Sequence, residues 1–282
     1  MSHSRRNFIQ KTALGIAGSF TIPFAGKALA LNEEVPYKDP ALQMGMAGYT
    51  FAKFGLDQSI AMMKRLDIHY LSIKDFHLPL NSSQETINAV LGKLKENDIK
   101  LYTVGVIYMK TRQAVEEAFA YAKKAGVTMI VGVPNYDLID YAEQQVKAHD
   151  IKLAIHNHGP EDALYPGPKD VFDRLKNRDA RMGLCLDIGH AERAGTNLVS
   201  AIKDYKSRLF DLHIKDVSAA NKDGKAREVG RGVIDFNAVV RALKAVNYTG
   251  LCSLEFEKDM SDPLPGMAES VGFFRGVVSS LG

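Results

Sequence analysis

Short apolar runs alternate with amphipathic stretches of about a dozen residues eight times along this 282-residue chain. That alternation limits the fold more than any other feature. The strand-like runs are 42–47, 70–73, 101–107, 129–133, 153–156, 182–186, 210–214 and 251–256. Between them the apolar residues recur at helical spacing: Leu56, Ile60, Met63 and Leu66 in one segment, and Val115, Phe119, Ala122 and Ala125 in another. Strands joined by helices of this length predict parallel pairing through right-handed crossovers. Eight such units in roughly 250 residues is the size of a (β/α)8 barrel. A doubly wound open sheet is the competing α/β architecture, but no Gly-rich dinucleotide fingerprint follows the first strand. No low-complexity tract or interdomain linker divides the pattern, so the expectation is one α/β domain, a single (β/α)8 TIM barrel over residues 41–282.

Composition removes other classes. With 46% hydrophobic and 24% charged residues the chain is ordinary for a globular protein. Two Cys are too few for a disulfide scaffold or a Cys-rich zinc module. Residues 1–30 read as an address rather than as structure. Ser4-Arg5-Arg6-Asn7-Phe8-Ile9-Gln10-Lys11 resembles a twin-arginine export signal, an apolar run from Ala13 to Gly26 follows, and Ala28-Leu29-Ala30 fits a signal-peptidase site. A basic arm with a hydrophobic anchor helix is the alternative, but the run is too short to span a bilayer and contains Pro23. The expectation is a periplasmic protein, with residues 31–40 as a polar linker. Of the 36 Lys and Arg, Arg5, Arg6, Lys11 and Lys27 lie in this segment and no acid does, which leaves 32 basic against 33 acidic residues beyond it. The basic lean therefore belongs to the signal, and neither nucleic acid nor a membrane surface is expected as a partner.

Barrel enzymes carry their chemistry at the C-terminal ends of the strands. Strand two leads into Lys74-Asp75-Phe76-His77, strand five into His156-Asn157-His158-Gly159, and strand six into Asp187-Ile188-Gly189-His190. Strand seven ends His213-Ile214-Lys215-Asp216 and strand eight ends Glu255-Phe256-Glu257. Five of the eight His lie at these ends: His77, His156, His158, His190 and His213. Residues two apart on a strand share a face, so His156 with His158, Asp211 with His213, and Glu255 with Glu257 are expected to point together. Asp187, His213 and Glu255 converging from strands six to eight form a candidate divalent-metal site, with mixed N and O donors that suit Mn, Zn, Co or Fe better than Ca or Mg. Each residue also has a plainer reading. An Asp at a strand end commonly caps the next helix, and a single His there is often only hydrogen-bonded. Glu255 is the least ordinary, because an apolar run seldom ends in buried acid without a partner.

These strand ends resemble the xylose isomerase-like TIM-barrel superfamily, in its sugar (phosphate) isomerase/epimerase branch. The resemblance rests on Leu153-Ala154-Ile155-His156-Asn157-His158, Cys185-Leu186-Asp187-Ile188-Gly189-His190 and Leu212-His213-Ile214-Lys215-Asp216. It rests also on Val229-Gly230-Arg231-Gly232-Val233-Ile234-Asp235-Phe236 and Tyr248-Thr249-Gly250-Leu251-Cys252-Ser253-Leu254-Glu255. It implies one divalent metal ion (Mn, Zn or Co) held by Asp187, His213, Glu255 and a strand-five ligand at position 156. That fourth ligand is usually Glu in the epimerases, so His156 is a departure and serves either as a neutral ligand or as a base. The resemblance makes Glu255 a ligand and acid/base residue, and His158, His190, Lys74 and Arg231 candidate substrate contacts. Lys74 reads equally as a surface charge, and Arg231 as a residue that stiffens its loop. Barrels of this family often dimerise, which leaves a homodimer open.

Three functions compete. The resemblance favours a metal-dependent isomerase or epimerase of a small keto carbohydrate, working through proton abstraction beside a polarised carbonyl. An endonuclease IV-like hydrolase would need further ligands from strands two and three and from the loop after strand seven, which the sequence lacks. A non-catalytic sugar-binding barrel is the third reading, kept open by His156. Cys185, two residues before Asp187, is expected inside the barrel, and Cys252, three before Glu255, on the helix side, so a disulfide between them is not expected.

Overall fold

The computed structural model describes residues 42–281; the export signal and the linker expected from the sequence lie outside them. Eight parallel strands close into a barrel in the order β1, β10, β7, β6, β5, β4, β3, β2. The strands are β1 (Met44–Ala47), β2 (Tyr70–Ile73), β3 (Lys100–Met109), β4 (Met129–Pro134), β5 (Lys152–His156), β6 (Met182–Asp187), β7 (Leu209–Ile214) and β10 (Cys252–Leu254). The single (β/α)8 TIM barrel is therefore what the alternation produces. Outside it lie α1 (Leu56–Arg65), α2 (Gln84–Glu96), α3 (Arg112–Ala125), α4 (Ile139–His149), α5 (Pro168–Leu175), α6 (Ile188–Arg193), α7 (Leu198–Tyr205), α8 (Phe236–Ala245) and α9 (Leu264–Ser280).

The helices begin where short polar side chains can satisfy free N–H groups. Ser83 accepts from Thr86 N–H, Thr111 from Ala114, Asn197 from Ser200 and Asp235 from Ala238. Their apolar stripes face the strands: Val115, Phe119, Ala122 and Ala125 of α3 are all buried. Burying such large apolar side chains contributes about 1.5–3 kcal/mol each.

Two features depart from the simple repeat. Strand six is followed by two helices, α6 and α7. Between β7 and α8 the chain inserts a small antiparallel hairpin, β8 (Asp216–Val217) with β9 (Ala226–Arg227). Strands of two residues are too short to show a period in sequence.

The barrel interior carries a polar layer below its mouth. Tyr102 Oη lies 3.0 Å from Asp211 Oδ2 and 2.6 Å from Ser253 Oγ, and Cys185 Sγ lies 3.8 Å from the same carboxylate. Burial pushes Asp211 up to about 6. Both cysteines are free and buried, as expected from their opposite faces.

Candidate metal centre

Strand register brings the candidate ligands together. Asp187 on β6 is aligned with His213 on β7, and Ser253 on β10 is aligned with the same His213. Glu255 stands two residues beyond Ser253 and its N–H donates to Ile214 O at 3.0 Å, which carries the ladder one step past the strand. His156, Asp187, His213 and Glu255 present donor atoms all within 4.8 Å of one another, and all four residues are buried.

Individual distances fit a shared ion. His156 Nε2 lies 3.1 Å from His213 Nδ1, His213 Nδ1 3.5 Å from Glu255 Oε2, and His156 Nε2 3.7 Å from Asp187 Oδ2. Metal–donor bonds of about 2.1 Å put neighbouring donors roughly 3.0–3.4 Å apart, close to these values. Two imidazole nitrogens and two carboxylates packed this tightly in a dry interior are a donor set that suits a divalent cation. Asp187 shows both of its sequence readings at once. Its Oδ1 accepts from His190 N–H at 2.8 Å and caps α6, while the buried Oδ2 turns into the cluster, 3.7 Å from His156 Nε2 and 3.2 Å from Lys215 Nζ.

Electrostatics favour the ligand forms of His156 and Glu255 and oppose those of Asp187 and His213. Burial drives His156 well below its ordinary value, and the neighbouring imidazoles add to the effect, so the ring is neutral and its lone pair is free. Burial also opposes a charged Glu255, but Lys215 and His213 outweigh it and hold the carboxylate well below the usual range. Burial raises Asp187 despite the nearby Lys215. His213 would be lowered by burial, yet Glu255 and Asp211 lift it above its ordinary value.

Above the ligands lies a cavity of about 350 Å³ lined by Tyr49, Lys74, Val106, Tyr108, His156, His158, His190, Glu255 and Glu257. His158 and His190 are therefore where the sequence places them. His158 Nε2 is 3.0 Å from Tyr108 Oη and its ring stacks on that tyrosine with centroids 5.4 Å apart. Burial holds His158 below its ordinary value and drives His190 down to about 2, the latter with help from Lys215. Lys74 is no surface charge: its side chain is 15% exposed and Nζ donates to Val106 O at 2.7 Å. Arg231 is not brought to the cavity. Its side chain is 65% exposed and pairs with Glu269, because Asp216 Oδ2 accepts from both Gly230 and Gly232 N–H at 2.9 Å and anchors the loop on either side of it. Arg231 is thus corrected from substrate contact to surface ion pair. His77 is also turned elsewhere, toward Phe54 O at 2.8 Å.

Five residues in and around the site had no assigned role in the sequence reading: Tyr49, Tyr108 and Glu257 on the cavity wall, and the buried Asn157 and Lys215. The shared face of Glu255 and Glu257 was the available signal for Glu257. Lys215 follows the ligand His213 by two residues, which was the signal for it. The tyrosines end strands with no charged residue to draw notice.

The family model described as a xylose isomerase-like TIM barrel matches residues 51–277. The chain belongs to that family. Among curated relatives, inosose dehydratase of Clostridium beijerinckii is 26% identical over 107 residues, 32% of this chain and 36% of that protein. The chain spans less than half the length of the curated relatives it matches. The crystal structure of IolI protein with a bound zinc atom superimposes with a TM-score of 0.71 at 17% identity, covering 85% of this chain and 99% of the other. D-psicose 3-epimerase, solved in the presence of D-fructose, superimposes with a TM-score of 0.64 at 14% identity over 85% of this chain and 98% of its own. At these identities the two structures share the fold with this chain.

Proposed function

We propose that this barrel is a divalent-metal-dependent isomerase or epimerase of a small keto carbohydrate. The convergence of four buried donors from His156, Asp187, His213 and Glu255 at the floor of a sugar-sized cavity carries the reading. Two relatives point the same way, a zinc-bearing barrel and a ketose epimerase of the same fold. An ion held there supplies Lewis-acid polarisation of a carbonyl and stabilises negative charge on its oxygen.

The chain's own residues supply the rest. Tyr49 and Tyr108, 41% and 50% exposed at the mouth, offer aromatic faces for the apolar C–H side of a sugar ring. Lys74 Nζ and His190 are placed to hydrogen-bond hydroxyls. A carboxylate oxygen of Glu255 takes the proton from the carbon beside the carbonyl, and the Tyr108 hydroxyl paired with His158 Nε2 at 3.0 Å is the second group in the cavity able to exchange one. With His156 neutral and its Nε2 turned into the donor cluster, position 156 acts as a ligand rather than as the base.

Likeness to a dehydratase favours one second reading, in which the same proton abstraction is followed by loss of a neighbouring hydroxyl. Incubation with keto sugars in heavy water separates the two. Deuterium in an epimer or isomer supports the first, a product lighter by one water supports the second, and neither from a chain that holds its ion leaves sugar binding. Metal content of the chain beside Glu255→Ala tests the foundation: one ion per chain, lost in the variant, is expected, and a chelator is expected to lower Tm. Export through residues 1–30 is part of the proposal and suits unphosphorylated sugars; the mass of the mature chain from a periplasmic extract checks it.

A further inference from the structure

Glu255 belongs to two groups of donors. Beside the four-residue cluster, atoms of His190, Glu255 and Glu257 also lie within 4.8 Å of one another, on the cavity side. The Nζ of Lys215 stands among these three. It is 2.9 Å from Glu255 Oε2, 3.1 Å from Glu257 Oε1 and 3.2 Å from His190 Nε2, and 3.2 Å from Asp187 Oδ2 as well. The lysine side chain is 3% exposed. A lysine that follows a strand ordinarily carries its charge to water; this one turns inward. Gly189 opens the path: a Cβ there would meet Lys215 Cγ at 2.7 Å and Cβ at 2.9 Å.

We propose that Lys215 is a tethered second cation, filling with its ammonium the place where His190, Glu255 and Glu257 would otherwise hold a second divalent ion. The inference rests on the metal reading of the first cluster and adds that the site is restricted to one ion. Charge balance supports it. Asp187, Glu255 and Glu257 bring three negative charges to one low-dielectric site, and one divalent ion with one ammonium cancels them. With Lys215 gone, a single ion leaves an excess negative charge beside three vacated donors, which is the condition for taking up another. An ammonium neutralises carboxylates but cannot polarise a carbonyl as a Lewis acid does. Its presence therefore confines that chemistry to the floor of the cavity.

Equilibrium dialysis of the folded chain against Mn(II), with metal counted by mass spectrometry, tests the inference without reference to activity. The unaltered chain is expected to saturate at one ion per chain even in excess metal, Lys215→Met at two, and Lys215→Met with Glu257→Gln at one again. Two ions in the unaltered chain, or one in folded Lys215→Met, overturns the inference. Lys215→Gln, uncharged but still a hydrogen-bond donor to the carboxylates, replaces Lys215→Met should that variant not fold. An unaltered chain that takes up no ion defeats the metal reading itself, and this inference with it.

Discussion

The side chain of Asn157 pairs with the backbone of Asp187 as a neighbouring strand would: Nδ2 donates to Asp187 O at 3.0 Å, and Oδ1 accepts from Asp187 N–H at 3.1 Å. β5 has ended at His156, so a side chain continues the ladder that the main chain has left. Both residues are fully buried. The amide thereby fixes the direction in which the Asp187 carboxylate enters the cluster.

Asn157→Ala is expected to cost about 2–4 kcal/mol in urea unfolding, since it strands one buried N–H and one buried C=O. Ion affinity is expected to fall about 10–100-fold, as for other residues that orient ligands. Asn157→Asp keeps the acceptor but sets a carboxylate oxygen against the Asp187 carbonyl, so its stability should lie nearer the Ala variant than the unaltered chain.

One carboxylate gathers four N–H groups in and around the loop after β9. Besides Gly230 and Gly232, Asp216 accepts from Val217 N–H at 2.8 Å and Ile234 N–H at 3.3 Å. Removing it in Asp216→Ala is expected to lower stability by about 3 kcal/mol. Arg231→Ala, on the same loop, loses only an exposed ion pair and is expected to change stability by less than about 0.5 kcal/mol, with sugar affinity unchanged. A large loss of sugar affinity in Arg231→Ala would return that residue to the substrate contacts.

His77 supplies a pH dependence separate from the metal ligands. Burial lowers it from its ordinary 6.5, against the pull of the Phe54 carbonyl. Below pH 6.5 the unfolded chain binds a proton that the folded chain resists, so this contribution to stability is present above that pH and is lost as pH falls toward the depressed folded value. In His77→Gln the fall in stability between pH 7 and 5 is expected to be shallower than in the unaltered chain, measured by urea midpoints at each pH.

Burial raises both thiols far above the ordinary range. A thiol reagent is therefore expected to leave Cys185 and Cys252 unlabelled in the native chain and to label two equivalents in urea. Two rapidly reacting thiols in the folded chain would contradict their placement.

Much of this was legible before any coordinate. Short apolar runs separated by helically spaced segments located the strands to within about two residues, the chemistry of strand ends picked out Asp187, His213 and Glu255, and the family resemblance added His156. Lys215 was not legible as a cation for the site because its partners come from β6, α6 and the end of β10, and a lysine after a strand reads as solvent-facing. Asn157 was hidden for a similar reason: its function is a backbone contact 30 residues away, which no side-chain pattern records. Arg231 misled because the loop that carries it is oriented by Asp216, whose two close glycine contacts exist only after folding.

All four donors of the buried cluster come from one arc of the barrel, β5 to β10, whereas Tyr49, Lys74, Val106 and Tyr108 on the opposite arc touch the cavity without joining the cluster. On the proposed function, every residue of the donor cluster lies after about residue 150, and the aromatic part of the cavity wall lies before it. On that reading, mutation in the first half is expected to redraw which sugar is admitted while the donor cluster is inherited unchanged.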